Sequence, residues 1–267
     1  MNSEPERRRT VYVLLPAYNE EVALKALLPD LYHATDMIGA RVHVIVVNDG
    51  SSDGTANADD WAPPHQRVEV ISHEQNRGLA AALTTGIERV LTLSQGPDDL
   101  MVCLDADNTH PPETIPRMVA RAWDGHDVVI ASRYRPGSVQ RGVPAFRRFL
   151  SRGARVLFRL LLPIPGVRDF TCGFRAYRVS ALREIWRRTG GKVITSQGFA
   201  CTDELLLKIA MITGKITEVP FTLRYDQKPG ESKLQLWLTI RSQLRVIGRL
   251  RQMRREGLPQ EVQRDRS

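Results

Sequence analysis

Two carboxylates separated by one residue, Asp105 and Asp107, follow directly on the apolar run Leu100-Leu104. At i and i+2 after a strand their side chains share one side of the chain, and at the turn both can converge on one cation. An all-oxygen pair suits a hard divalent ion, Mg²⁺ or Mn²⁺, which takes its other ligands from water and phosphate. The chemistry such an ion serves is departure of a nucleoside diphosphate, because negative charge builds on the diphosphate as the sugar–phosphate bond breaks. Thr109 or Asn108 could add an oxygen ligand, and His110 is a weaker candidate. The expectation is that Asp107, with Thr109 behind it, coordinates the ion directly, and that Asp105 makes the contact nearer the nucleotide. An isolated Asp-x-Asp is more often turn or helix-cap chemistry, so its meaning depends on the elements that hold it.

Those elements form a rhythm. Strand-like runs at Val11-Leu15, Val42-Val47, Val68-Ser72, Leu100-Leu104 and Asp127-Ser132 alternate with segments carrying apolar residues at helical spacing. This predicts βαβ units around a mostly parallel sheet, an α/β fold, whose ligand crevice lies at the carboxyl ends of the strands. A polar cluster follows each strand: Pro16-Ala17-Tyr18-Asn19-Glu20, Asn48-Asp49-Gly50-Ser51-Ser52-Asp53-Gly54, Asn76-Arg77-Gly78, Asp105 to His110, and Arg133-Tyr134-Arg135. All five therefore fall on one edge of one sheet, which turns the Asp pair from a cap into a metal and diphosphate site. In the second half, Ala145 to Leu162 and Ser232 to Arg255 read as long basic amphipathic helices, with a strand pair near Ile216-Pro220 and Thr222-Tyr225 between them. The implied division is a flexible start at 1–9, one domain over 10–230, a basic C-terminal helix over 231–256 and a disordered tail over 257–267.

In this order the clusters resemble the family 2 inverting glycosyltransferases of the GT-A fold, a Rossmann-like sheet flanked by helices. Asp169-Phe170-Thr171-Cys172-Gly173-Phe174-Arg175 and Gly230-Glu231-Ser232-Lys233 narrow the resemblance to the dolichol-phosphate or polyprenyl-phosphate mannosyltransferase branch. That resemblance implies transfer of a hexose, mannose from GDP-mannose, with inversion onto a polyprenyl or dolichyl monophosphate. It implies that Pro16, Tyr18, Glu20 and Asp49 hold the base and ribose of the donor. Asn48 stands where many relatives carry a second aspartate, which weakens any role for that position. The acceptor phosphate would be held by Arg133 and Arg147, and Arg224, Ser232 and Lys233 would line a loop near the donor diphosphate or the transferred phosphate.

Elementary chemistry agrees with arginines in that place. An alcohol acceptor needs a general base, whereas a lipid monophosphate is already an anion and needs cations to position it. A planar guanidinium fork suits phosphate oxygens, and a lysine serves as a mobile point charge. Glu204, in Thr202-Asp203-Glu204-Leu205, is the competing candidate: if it acts as a base, the acceptor is not a phosphate. The runner-up keeps the fold and uses UDP-glucose or another nucleotide sugar, with a polyprenyl phosphate or a surface polysaccharide as acceptor.

The bulk properties set the location. A chain of 267 residues with net charge +8 seeks polyanions: nucleic acid, an anionic membrane surface or phosphorylated small molecules. Aromatics at 6% and the lack of any recognised motif argue against a nucleic-acid-binding module, and the intact Asp105 and Asp107 against a catalytically dead relative. No window is apolar enough to span a membrane, and no export signal is read at the start. Phe146, Phe149, Leu150, Leu157, Phe158, Leu161 and Leu162 lie among Arg147, Arg148, Arg152, Arg155 and Arg159, and Trp237, Ile240, Leu244 and Ile247 oppose Arg241, Arg245 and Arg249. Both helices are expected to lie on an anionic membrane from the cytoplasmic side, or else a small membrane partner anchors the chain. Cys103, Cys172 and Cys201 have no disulfide or metal spacing and are expected to be small buried residues in a reducing compartment.

Overall fold

The computed structural model describes residues 9–64, 66, 68–198, 200–227, 245–249 and 251–253. Its centre is a seven-stranded sheet of β1 (Thr10–Ala17), β2 (Arg41–Asn48), β3 (Val68–Ser72), β4 (Leu100–Cys103), β5 (Val128–Ser132), β7 (Arg175–Arg178) and β8 (Ile216–Pro220), in the order β3-β2-β1-β4-β7-β5-β8. A separate two-stranded sheet pairs β6 (Val139–Arg141) with β9 (Thr222–Arg224) in parallel. The β-branched runs read as strands are buried on both faces: Val13, Leu14, Val44 to Val47 and Val128 to Ala131 expose no surface. Burial of this kind is what helices on both sides of a parallel sheet impose. Those helices are α1 (Glu21–Thr35), α2 (Leu79–Leu93), α3 (Ile115–Trp123), α4 (Ala145–Leu161), α5 (Val179–Arg188) and α6 (Ala200–Ala210). α2 lies so close to β1 that a Cβ on Gly86 would stand 2.2 Å from a Leu14 methyl, so only glycine allows that contact.

The five strands read from the sequence are all present and run in one direction, and their polar clusters do share the carboxyl edge. The sheet departs from pure parallel order at β7, which is antiparallel to β4 and β5 and sits between them. Arg-Ala-Tyr-Arg has no apolar run to reveal it. Its buried end is instead satisfied by polar partners, with Arg175 fully buried and Arg178 bonded to Asp98 at 2.7 Å.

Two further expectations are corrected. The segments at Ile216-Pro220 and Thr222-Tyr225 are strands but not a pair: β8 joins β5 and β9 joins β6. Phe221, buried, is the one residue between them, too short a link to fold a hairpin. Most of the expected C-terminal helix, with Ser232 and Lys233, and the tail lie outside the described residues. Where it is described, at 245–249, it is helical, and Val246 and Ile247 are buried in the protein's own core instead of facing a membrane.

α4 holds the opposite arrangement. Phe158 is fully buried and stacks on Phe170 at 5.6 Å between ring centroids, burial that contributes roughly 2–3 kcal/mol. Phe146, Phe149, Val156 and Leu160 form a second stripe at spacings of three, seven and four, and Phe149 and Leu160 are 72% and 73% exposed. Of the apolar residues read from the sequence, Leu157, Phe158 and Leu161 thus pack inward while Phe146 and Phe149 face outward.

Candidate active site

The loops at the carboxyl edge are built to hold one another. After β1, Asn19 takes the left-handed conformation at φ 54°, which asparagine tolerates. Its side-chain oxygen accepts from Ser52 N at 2.9 Å, while its own N–H donates to Ser51 Oγ at 2.9 Å. After β2, Gly50 also has positive φ, and a Cβ there would meet the backbone of Gln75 at 2.3 Å. Asp49 crosses to the loop after β3, accepting from Arg77 N at 2.9 Å and Gly78 N at 2.7 Å, with His73 Nδ1 at 2.7 Å. Three of its roughly four lone-pair sites are thereby used inside the protein. Asn48 is likewise employed locally, donating to Ser72 Oγ at 3.1 Å and accepting from Ser51 N at 3.1 Å. Pro16 and Tyr18 stand at this same rim, Tyr18 being 38% exposed, and the Glu20 N–H donates to Thr55 Oγ1 at 2.9 Å.

After β4 the two acids become unequal. Asp107 is buried, and its Oδ1 accepts from the Thr109 hydroxyl at 2.7 Å and the Thr109 N–H at 3.2 Å. Asp105 has a side chain 41% exposed. Thr109, expected as a metal ligand, donates its hydroxyl proton to Asp107 and so braces that carboxylate while keeping the lone pairs of its own oxygen. The turn between them depends on Asn108 at φ 58°. His110 is wedged against Phe174 at 5.2 Å and Phe221 at 5.7 Å, and its Nδ1 accepts the Asp105 N–H at 3.2 Å. Accepting at Nδ1 leaves the ring proton on Nε2, and the imidazole props the loop. Among the described residues no group of three or more His, Cys, Asp or Glu could hold a metal ion alone. Two carboxylates with no third His, Cys, Asp or Glu beside them among the described residues fit the demand of Mg²⁺ or Mn²⁺ arriving with a diphosphate.

The short second sheet delivers a cation here. The Arg224 N–H donates to the Thr109 carbonyl at 2.9 Å, and its guanidinium lies 3.3 Å from Glu113. Arg224 therefore stands beside the Asp107 loop. Arg133, at the end of β5, is pinned: its Nε and Nη2 form a fork on Asp169 at 2.8 and 2.6 Å, and Nη2 also donates to Thr171 Oγ1 at 2.6 Å. Burial opposes the charge on both partners, and their mutual attraction overcomes it, raising the guanidinium and holding the Asp169 carboxyl below the ordinary carboxylate range. What remains to present is Nη1, with two N–H groups. Arg147 falls in the first turn of α4, and its side chain lies outside the described residues.

Glu204, the competing candidate for a base, is heavily engaged within the protein. Its carboxylate accepts from Thr195 N and Oγ1 at 2.9 and 2.7 Å and from Ser196 N and Oγ at 2.7 and 2.6 Å, and it pairs with Lys208 at 2.7 Å. Burial resists its ionisation, but Lys208 and Ser196 more than compensate and bring it to about 2. A carboxylate so held takes up no proton near neutral pH.

Two residues with large structural consequences were absent from the sequence reading as site residues. Asp169 anchors Arg133. Arg175, fully buried, donates to the Phe170 carbonyl at 2.5 Å and to the Thr202 carbonyl, joining the Asp169 segment to α6. The Asp169-to-Arg175 run was visible as a motif, yet only the folded chain shows that its work is to hold the others. The cysteines match expectation: all three are buried, and burial raises the Cys172 thiol to about 12.

A family model described as glycosyl transferase family 2 matches residues 12–186. The chain is 34% identical over 224 residues to the polyprenol monophosphomannose synthase of Mycolicibacterium smegmatis, covering 83% of this chain and 80% of that protein. It is 33% identical over 248 residues to the dolichol-phosphate mannosyltransferase of Pyrococcus furiosus, covering 92% of this chain and 64% of that longer protein. Among solved structures, glucosyl-3-phosphoglycerate synthase from Mycobacterium tuberculosis in complex with Mn²⁺, UDP-glucose and phosphoglyceric acid matches with a TM-score of 0.67 at 23% identity, over 91% of this chain and 80% of that one. At that identity the likeness speaks for the fold.

Proposed function

This chain belongs to glycosyl transferase family 2, and from that premise we propose that it moves mannose from GDP-mannose, with inversion, onto a polyprenyl or dolichyl monophosphate. The names of the relatives supply the sugar and the acceptor class. The observation that carries the choice of acceptor is the state of Glu204: the acid placed to serve as a base is saturated by five donors, while guanidinium is presented at Arg133. An acceptor that needs no deprotonation suits that pairing.

In this reading a phosphate oxygen of the acceptor attacks the anomeric carbon, the bond from that carbon to the donor diphosphate breaks on the opposite face, and no proton has to move. A divalent ion, Mg²⁺ or Mn²⁺, offsets the charge of the leaving diphosphate when bound. Asp107 and Asp105 hold it, with Thr109 orienting Asp107. Arg224 adds positive charge beside the same loop, with Ser232 and Lys233 on the chain that follows it. Pro16, Tyr18, Glu20 and Asp49 border the nucleotide, Asp49 chiefly by ordering the Asn76-Arg77-Gly78 loop. Arg133, with Arg147, orients the acceptor phosphate.

The lipid substrate calls for a membrane surface. No helix among the described residues is long and apolar enough to cross one, but the outward stripe of α4 lies among Arg148, Arg152, Arg155 and Arg159. An apolar stripe flanked by arginine suits an anionic interface on the cytoplasmic side without a separate anchoring subunit. Tyr134 links this face to the site, donating to Ser151 Oγ at 2.8 Å and lying under the Arg155 guanidinium at 4.7 Å.

The test is incubation of the purified protein with Mn²⁺, labelled GDP-mannose and a short-chain polyprenyl phosphate, with UDP-glucose in a parallel arm. Lipid-linked mannose is the expected product; no lipid-linked product from any donor would overturn the proposal. In flotation with anionic vesicles, Phe146→Asp with Phe149→Asp should reduce membrane-bound protein by about tenfold, and unchanged flotation would remove α4 from the membrane.

A further inference from the structure

We propose that Glu218 is a positioning residue for acceptor binding that acts on Arg133 through Asp169; this rests on the acceptor role proposed above for Arg133. Glu218 lies on β8, opposite Ile130 of β5, and its side chain is fully buried. One of its oxygens, Oε1, accepts two consecutive backbone N–H groups, from Arg168 at 2.6 Å and from Asp169 at 2.7 Å. That double bond to one oxygen fixes the chain at the residue whose side chain holds the arginine. Asp169 Oδ2 then accepts from both the backbone N–H and Nε of Arg133, at 2.9 and 2.8 Å, and Oδ1 takes Nη2. Backbone, carboxylate and guanidinium are therefore set in series from an edge strand, by way of a segment 50 residues earlier in the sequence, to the Nη1 edge of Arg133.

The arrangement is costly, which argues that it serves more than packing. Two buried acids adjoin: burial, and then the charge of Asp169, push the Glu218 carboxyl up. Oε2 makes no hydrogen bond of good geometry among the described residues, the Ser132 side chain being the one polar neighbour that favours the charge of this carboxyl from its own sheet. It faces a cavity of about 330 Å³ lined by Arg117, Arg121 and Arg135, and Arg135 Nε is its nearest cation at 3.7 Å. Other basic groups of that cavity are engaged elsewhere, Arg117 with the Pro220 carbonyl and Arg121 with Asp124. The work of the side chain is thus concentrated on Oε1. A proton added at Oε2, or an amide in its place, would leave the two N–H bonds intact.

Three variants separate positioning from bulk stability. Glu218→Leu removes the acceptor oxygen and should raise KM for polyprenyl phosphate about tenfold, with KM for the nucleotide sugar within about twofold. Glu218→Gln keeps an oxygen for both N–H groups and should stay within about threefold of the parent for both substrates. Glu218→Asp, which withdraws the carboxylate by one methylene, should fall between them and keeps the test decisive if the leucine variant does not fold. Adding Arg133→Lys to Glu218→Asp should cost little beyond Arg133→Lys alone, because both act on one guanidinium. If Arg133→Lys raises acceptor KM while Glu218→Asp has the parental value, or if the two effects add, the positioning role is overturned and the reading of Arg133 stands. If Arg133→Lys leaves acceptor KM unchanged, that reading falls, and this proposal with it.

Discussion

Replacing Asp107 by Asn is expected to lower kcat by about 10²- to 10³-fold while leaving thermal unfolding near that of the parent. The two halves of that expectation have separate causes. The loop is held through Oδ1, which accepts the Thr109 hydroxyl and N–H; an asparagine oxygen accepts both equally well, so the turn survives. What is lost is the negative charge that a hard cation requires, since Mg²⁺ and Mn²⁺ bind neutral amides far less well than carboxylates. Asp105→Asn should cost less, because its side chain is more exposed and lacks the Thr109 brace. Turnover and Mn²⁺ binding measured on the same preparation decide the matter. Parental kcat in Asp107→Asn at ordinary Mn²⁺ would remove the ion from this loop, whereas an inactive variant with a depressed unfolding temperature would show that the charge holds the fold.

The expected order of those effects depends on an asymmetry that spacing could reveal only in part. The pair stood out because it ended an apolar strand and because four other polar clusters ended theirs on the same edge. A period-two strand and a short turn are local facts, and local facts survive in a linear sequence. The strands β1 to β5 were legible for this reason, and α4 to within a residue. Side chains that bond across 30 to 50 residues leave no such mark. Asp49 reads in the sequence only as a nucleotide contact, and its tie to Arg77 and Gly78 is seen only in the folded chain.

β7 escaped notice for the complementary reason. A four-residue strand with arginine at both ends violates the apolar expectation for a central strand. It is tolerated because Arg175 finds two carbonyls and Arg178 finds Asp98 and the Ala122 carbonyl. The outward stripe of α4 shows a third limit. Composition told that the helix was apolar and basic, but which apolar residues the core would take required the position of Phe170. Val246 and Ile247 went to the core by the same logic, so one basic amphipathic helix presents an apolar face while the described part of the other does not.

The largest expected effect on stability is at Lys208. Lys208→Met should destabilise the protein by about 3–5 kcal/mol near pH 7, because it leaves the buried Glu204 carboxylate without its counter-charge. Glu204→Gln combined with Lys208→Met should recover much of that, since a neutral amide still receives the Thr195 and Ser196 donors. The pH dependence has a definite sign. Glu204 is lowered from the ordinary 4.5 to about 2, so its contribution, roughly 3 kcal/mol, is complete above about pH 4.5 and fades as pH falls toward 2. In Lys208→Met the carboxyl loses the cation that lowers it and moves back toward its ordinary value, so less stability is lost on acidification and the deficit of the variant against the parent should narrow between pH 7 and pH 3. Denaturant unfolding of the parent, the single and the double variant at pH 7 and pH 3 measures all of this.

The same set of proteins judges the chemistry. Lys208 also donates to the carbonyls of Lys192 and Val193 at 3.1 and 3.0 Å, and Arg249 reaches Thr195 at 2.9 Å, so the Glu204 cluster ties the loop before α6 to the C-terminal segment. An acid with that duty should tolerate the amide: folded Glu204→Gln is expected to retain turnover within about threefold. Loss of turnover in a fully folded Glu204→Gln protein would make the acid a base after all, and the acceptor would then have to be an alcohol. The stability of one buried pair and the identity of the acceptor are therefore decided by the same variant.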